Sequence, residues 1–228
     1  MPTILVCDDD KDIVSAVKIY LSAEGYDVIS CSNGKEAISV CSKSQVHLII
    51  MDIMMPELDG IATVAEIRKT SNIPIIFLSA KSEDTDKVLG LNIGGDDYVT
   101  KPFNPVVLTA RVKSQLRRYM NFGGAPTGDD IITLGGLTLN DTAKTFTVDG
   151  TPTSLTPTEF EILKLLMKNP GKVYSSSDIY SAVWNDNPLG SDNTIAVHIR
   201  HLREKIEIDP AEPRYLKVVW GQGYKISN

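Results

Sequence analysis

Residues 49–60 read IIMDIMMPELDG. Together with Leu48 they open on an unbroken apolar run, Leu48–Met51, that stops at a carboxylate, Asp52. A continuous run, as opposed to an alternating one, marks a strand covered on both faces. Working outward, Ile4–Cys7, Asp27–Cys31, Ile75–Leu78 and Tyr98–Val99 are further strand candidates. Between them apolar residues recur at helical spacing, as in Ile13, Val14, Val17 and Leu21, or in Val106, Ala110, Lys113 and Leu116 with their neighbours. Such βαβα alternation predicts a doubly wound α/β fold, a five-stranded parallel sheet with five helices, over residues 1–119.

The polar residues of this half gather where strands end. The first strand runs into Asp8-Asp9-Asp10, the third ends at Asp52, the fourth at Ser79-Ala80, and the fifth runs into Thr100-Lys101-Pro102. Open α/β sheets bind ligands beyond the carboxyl ends of their strands. With strand order 2-1-3-4-5 the first and third strands are neighbours, so Asp8, Asp9 and Asp52 converge with Ser79 and Lys101 alongside. Crowded carboxylates need a compensating cation or proton. An all-oxygen site that keeps waters suits Mg²⁺ better than Ca²⁺. Taken singly, each piece has a plainer reading, since strand-terminal Asp caps helices and a Lys before Pro usually lies on the surface.

Residues 120–130, MNFGGAPTGDD, lack periodicity and read as a linker. Beyond them, over 131–228, the pattern changes. Ile131–Leu134, Leu137–Asn140 and Thr145–Val148 are short strands. Helices are expected near Pro157, Ser176 and Asp192, the first with Thr156 as cap, Pro157 in its first turn and Glu159 three residues past the cap. A terminal hairpin around Gly221-Gln222-Gly223 completes an α+β winged helix-turn-helix pattern.

In the last of these helices, 192–207, Ile195, Ile199, Leu202 and Ile206 form one core stripe. At about 100° per residue the opposite face holds Asn193, Val197, Arg200 and Glu204, with Thr194 and His201 flanking. A valine in a solvated face has two readings. It is a stray surface residue, or it meets a thymine methyl while Arg200 reaches a guanine edge or phosphate.

Composition sets limits. The 228 residues carry a net charge of −6, and each half is close to −3 (13 Lys/Arg against 16 Asp/Glu in 1–118, 10 against 13 in 119–228), so any nucleic-acid contact must come from a local basic face. Three cysteines, Cys7, Cys31 and Cys41, without CxxC spacing read as buried or half-buried thiols, not as a disulfide frame or zinc site. No apolar run has spanning length and the N-terminus shows no basic n-region, so a cytoplasmic protein is expected.

The segments VCDDD (6–10), IIMDIMMPELDG (49–60), IIFLSA (75–80) and GGDDYVTKPF (94–103) resemble the receiver domain of bacterial two-component response regulators. That resemblance implies that Asp52 takes phosphate from a sensor histidine kinase. It also implies that Asp8, Asp9, Asp52 and the Met54 backbone carbonyl hold Mg²⁺, that Lys101 and Ser79 meet the phosphoryl group, and that Ser79 and Tyr98 switch together. The Lys101–Pro102 bond is expected to be cis. A homodimer face is implied at Lys87, Val88, Leu91, Asp97 and Arg111; Val107 stands where the pattern has an acid, which removes one cross-dimer ion pair.

Similarly, LTPTEFEILKLLMKNPGKVYS (155–175), TIAVHIRHLREKI (194–206) and VVWGQGYKI (218–226) resemble the winged-helix effector domain of the OmpR/PhoB family. This likeness implies DNA contacts from Thr194, Val197, His198, Arg200, His201 and Arg203, with Lys217 as a phosphate contact in the wing. Two positions depart from the pattern: Asn193 and Trp220 stand where arginine is usual. Trp220 is then either a wing contact or a buried structural residue. Together the resemblances imply a transcription regulator, not an enzyme beyond slight self-phosphorylation and acyl-phosphate hydrolysis. It would be activated by phosphorylation on Asp52, dimerise, bind promoter DNA and act on RNA polymerase.

Two rivals compete. A phosphatase using Asp8 as its nucleophile leaves Asp52, Lys101 and the whole C-terminal half unused. A regulator that works without phosphate leaves the acidic cluster, Ser79 and Lys101 unexplained.

Overall fold

A computed structural model describes residues 1–80, 93–120, 131–184 and 191–227. The chain divides into two compact units, Met1–Tyr119 and Met120–Asn228. The stretch read as a linker lies almost wholly outside the described residues, and so does the helix expected between the fourth and fifth strands, with Lys87, Val88 and Leu91.

The first unit runs β1 (Thr3–Cys7), α1 (Lys11–Ala23), β2 (Asp27–Cys31), α2 (Gly34–Lys43), β3 (Leu48–Asp52), α3 (Gly60–Arg68), β4 (Ile75–Ala80), β5 (Asp97–Lys101) and α4 (Pro105–Met120). The strands are parallel in the order β2-β1-β3-β4-β5, as the sequence pattern predicts. Side-chain alternation explains why β3 is apolar at every step. Ile49 and Met51 face one core with Val64 and Ile67 of α3, while Leu48 and Ile50 face another with Val17 of α1 and Val112 of α4. Helix starts are fixed by side-chain caps: Asp10 accepts from the Asp12 amide (2.9 Å), and Asp59 from the Ala62 amide (2.7 Å). Gly60 allows α3 to begin hard against the end of β3, because a Cβ there would lie 2.0 Å from the Asp52 carbonyl oxygen.

The second unit opens with an antiparallel sheet of β6 (Ile131–Leu134), β7 (Leu137–Asn140), β8 (Thr145–Val148) and β9 (Thr151–Pro152). The two-residue β9 is absent from the sequence reading. Its signal was Asp149-Gly150, which takes left-handed conformations (φ 49° and 79°) and closes a tight hairpin. Helices α5 (Pro157–Met167), α6 (Ser176–Trp184) and α7 (Ser191–Ile206) follow, then the hairpin of β10 (Leu216–Val219) and β11 (Gly223–Ile226). The capping box expected at α5 forms: Glu159 donates its amide to the Thr156 hydroxyl (3.3 Å) and accepts from the Thr156 amide (2.8 Å). Ile195, Ile199, Leu202 and Ile206 are buried in the core of this unit.

Candidate functional site

The strand order places the ends of β1 and β3 side by side, and the acids converge. Carboxylate oxygens of Asp8, Asp9 and Asp52 all lie within 4.8 Å of one another. Asp8 and Asp52 are buried and Asp9 is exposed. Lys101 reaches in from the end of β5, its Nζ 2.5 Å from Asp52 Oδ1 and 2.7 Å from Asp8 Oδ2. The Lys101–Pro102 bond is cis. Burial pushes the Asp52 carboxyl above its ordinary pKa, and the Asp8 charge adds to this; the Lys101 contact and the Met54 amide oppose it. Burial works against the Lys101 ammonium, but its contacts with Asp52 and Asp8 outweigh that and hold its pKa above the usual lysine value.

Other expected residues fall around this cluster. Asp52 pairs in register with Leu78, so Ser79 is the next residue along β4. Ser79 is buried, and among the described residues its Oγ meets no hydrogen-bond partner. Tyr98 on β5 is half-buried against the core beneath α2 and α3. The Met54 amide donates to Asp52 Oδ2 (2.9 Å), while its side chain is 73% exposed. Asp97 and Arg111, expected to pair across a dimer, close on each other within one chain at 2.6 and 2.7 Å. They sit on the adjacent elements β5 and α4, and Arg111 reaches both carboxylate oxygens of Asp97. Cys7 and Cys31 are buried, Cys41 is half-buried, and all three are free thiols. Burial pushes the Cys41 thiol up to about 11, as an inert structural cysteine requires.

The DNA-facing set needs correction. Thr194, Val197 and His198 are only 1%, 6% and 2% exposed. Helix α7 is covered on two sides, not one. Beyond the isoleucine stripe, His198 packs on the Trp184 ring (5.6 Å), Lys205 pairs with buried Glu159 (2.5 Å), and His201 lies 3.9 Å from the same carboxylate. Val197, one step round the helix from His201, falls inside this covered sector. The exposed arc is therefore Asn193, Ala196, Arg200 and Glu204, with Arg200 paired to Glu204 at 2.9 Å. Arg203 does not face outward either, since its guanidinium donates twice to the Leu216 carbonyl (2.9 and 2.8 Å).

Glu207 completes this clamp and was missed by the sequence reading. Its carboxylate accepts from the amides of Arg214 (2.7 Å), Tyr215 (3.0 Å) and Leu216 (2.8 Å). An acid just past the end of a helix looks like a solvated residue in sequence; only the returning chain gives it partners. Trp220 is 92% exposed at the hairpin tip, so its reading as a buried structural residue fails. Lys217 is half-buried and lies opposite Lys225 in register.

A doubly wound unit with an acid-lysine cluster at its strand ends, followed by a winged helix, defines the class: a receiver joined to a DNA-binding module. Residues 4–113 match the model of the response regulator receiver domain, and residues 150–226 that of the transcriptional regulatory protein C-terminal domain. The chain is 44% identical to the regulatory protein VanR of Enterococcus faecium over 98% of its own length and 97% of that protein's. It is 40% identical to PhoP, the alkaline phosphatase synthesis transcriptional regulatory protein of Bacillus subtilis, over 98% and 95%. Among solved structures, the Thermotoga maritima response regulator DrrB, an OmpR/PhoB homologue, aligns over all of both chains at 33% identity with a TM-score of 0.53. The chain belongs to the OmpR/PhoB family of two-component response regulators. It is a transcription regulator whose receiver implies a histidine kinase as phosphodonor and whose C-terminal domain implies promoter DNA. Among the described residues no helix is long and apolar enough to cross a membrane.

Proposed function

We propose that Asp52 is the phosphoacceptor and that its modification controls promoter binding by the C-terminal unit. The observation that carries this is the Lys101 ammonium bridging Asp52 and Asp8, with the buried hydroxyl of Ser79, which has no hydrogen-bond partner among the described residues, at the end of the neighbouring strand. A carboxylate oxygen of Asp52 bonds to phosphorus as the N–P bond of the kinase phosphohistidine breaks, and the leaving imidazole takes up a proton. Lys101 and Ser79 then meet phosphoryl oxygens. Drawing Ser79 toward the phosphate leaves space that Tyr98 fills, which links the chemistry to the surface.

The residues present fit a magnesium ion. Three carboxylates offer oxygen donors to one another's neighbourhood while a single lysine contacts two of them, leaving an excess of negative charge. Asp8, Asp9, Asp52 and the Met54 backbone carbonyl would hold it. When bound, such an ion neutralises charge on phosphoryl oxygens. The chain acts in the cytoplasm as a regulator, with only slight self-phosphorylation and acyl-phosphate hydrolysis of its own.

Phosphorylation favours a homodimer through the face that carries Asp97 and Arg111, together with Lys87, Val88 and Leu91. Two protomers on adjacent half-sites then bind promoter DNA and act on RNA polymerase. Arg200 and Asn193 are the contacts best placed on the exposed arc of α7.

The test is labelling with a small phosphodonor and Mg²⁺, read by intact mass, sedimentation and DNA binding. Wild type gains one phosphoryl group, sediments as a dimer and binds more tightly; Asp52→Ala does none of these. Equal labelling of both proteins, or an unlabelled wild type, removes Asp52 from the mechanism.

A further inference from the structure

One residue before Asp8, the core holds a group of sulfur atoms that phosphoryl transfer does not use. Cys7 ends β1 and is the register partner of Cys31, which ends β2. Register partners turn their side chains to one face of the sheet, and both thiols are buried in the core that also takes Val64 and Ile67 of α3. Met55 lies in the loop between β3 and α3. It is half-buried, packs against the same core and brings its Sδ to 3.5 Å from the Cys7 Sγ. The Cys7 thiol also has the Asn33 carbonyl at 3.3 Å. A hydrogen bond with Cys31, then burial, pushes the Cys7 thiol well above its ordinary pKa, so it is protonated at neutral pH.

Acceptors outnumber protons in this group. Two thiol protons are shared among the two thiol sulfurs, the Met55 thioether and the Asn33 carbonyl. Sulfur is a weak hydrogen-bond partner, so these contacts hold the group together only loosely, but it is a strong ligand for soft cations. Metal–sulfur bonds of ~2.3 Å set two ligand sulfurs roughly 3.8–4.0 Å apart at tetrahedral or trigonal angles, so the 3.5 Å between Cys7 and Met55 has to open only slightly.

We propose that Cys7, Cys31 and Met55 form a binding site for a soft monovalent metal ion, copper(I) or its analogue silver(I). Two thiols and a thioether suit an ion that selects sulfur, whereas magnesium requires oxygen ligands and structural zinc four donors of the thiolate, imidazole or carboxylate kind. As each thiol sulfur bonds to the ion, its proton passes to solvent; one ion enters, two protons leave and no electron is transferred. Half-buried Met55 opens the way in from the surface. Cys7 is followed by Asp8 and Met55 is preceded by Met54, so an occupied site ties together two segments that frame the acceptor carboxylates. The site does not depend on the phosphoacceptor reading.

The experiment titrates silver(I), and copper(I) under anaerobic conditions, into the reduced full-length chain against a competing chelator. Mg²⁺ is kept in excess to occupy the acidic cluster. Wild type should bind one ion per chain, show sulfur-to-copper charge-transfer absorbance, and raise the unfolding midpoint of its receiver transition. Cys7→Val and Cys31→Ala should each lower affinity about a hundred-fold or more, beyond the usual cost of losing a group that only supports a ligand. Met55→Leu keeps the side-chain volume and hence the fold, and should lower affinity about ten-fold. Cys41→Ser, which alters the half-buried thiol of α2, should bind as wild type does.

Unchanged affinity in Met55→Leu overturns the proposal, even where the cysteine variants fail to fold. So does binding that Cys41→Ser abolishes, which would make the ion a ligand of the more accessible thiol. An ion that excess Mg²⁺ displaces sits on the acids and overturns it equally, as does a wild type that retains no ion.

Discussion

The acceptor pocket and the DNA-reading helix are built in opposite ways. In the pocket, side chains at the ends of β1, β3 and β5 are driven together because parallel strands all end on one side, so topology decides who meets whom. On α7 the helix contributes every candidate itself, and its packing neighbours decide which of them reach solvent. Strand-end chemistry is consequently legible once strand order is known. Helix-face chemistry also requires knowing which neighbours cover the helix.

The sharpest way to break this comparison is to remove Lys101, the one cation that the described residues bring to the pocket's acids. Lys101→Met leaves the buried Asp8 and Asp52 carboxylates facing each other, with Lys101 itself only partly accessible at 21%. Losing one partner of such a buried charge cluster should cost about 3 kcal/mol in metal-free buffer, read by urea unfolding of the receiver transition. Magnesium should restore part of the loss. An unchanged midpoint would show that the ammonium is not the counter-charge of these acids.

On the helix, two arginines three residues apart separate structure from recognition. Arg203→Ala removes two charge-assisted hydrogen bonds to the Leu216 carbonyl and should cost about 2 kcal/mol in the C-terminal unit. Arg200→Ala loses only an exposed i,i+4 pair, so stability should move by less than about 0.5 kcal/mol. DNA affinity should fall about ten-fold, with a shallower salt dependence if Arg200 meets phosphate. A neutral Arg203→Ala with a destabilising Arg200→Ala would reverse the assignment.

The contrast explains what the amino-acid order revealed. The acid cluster with Lys101 was readable because it follows once the sheet order 2-1-3-4-5 is adopted, and the apolar strands and the α5 capping box because they follow from periodicity or from a local motif. The isoleucine stripe of α7 was readable for the same reason. Thr194, Val197 and His198 were misplaced because helical arithmetic identifies one buried stripe and cannot register that Trp184 and Glu159 close a second side. Arg203 was misread and Glu207 missed because their partners are backbone groups of Arg214, Tyr215 and Leu216, which carry no side-chain signature.

A smaller effect tests the pocket's rim. Met54 donates only its amide to Asp52 and turns an apolar side chain to solvent, so nothing from that side chain orients an attacking water. Met54→Asn should shorten the lifetime of the acyl phosphate several-fold, followed as loss of the phosphoryl mass after donor removal. An unchanged lifetime would place control of hydrolysis elsewhere.

The smallest effect comes from a cluster in which lysines are not outnumbered by acids, Glu161 lying 3.5 Å from Lys144 and 3.2 Å from Lys164 beside Asp141. Where Lys101 serves two buried acids, Asp141 in the second unit is served by Lys144 at 2.5 Å and Lys164 at 2.9 Å. Burial raises the Asp141 pKa, but the two lysines outweigh it and hold the carboxyl below its ordinary value. An acid with a depressed folded-state pKa stabilises the fold above its unfolded pKa of about 3.9, and that stability is lost as pH falls through the folded value. Asp141→Asn should therefore cost no more than about 1 kcal/mol near neutrality, since the site borders solvent. The gap between variant and wild type should stay level above about pH 5 and close below about pH 4. A gap that widened in acid would mean that the folded-state pKa lies above the unfolded one, so that burial of the Asp141 carboxyl outweighs its two lysines.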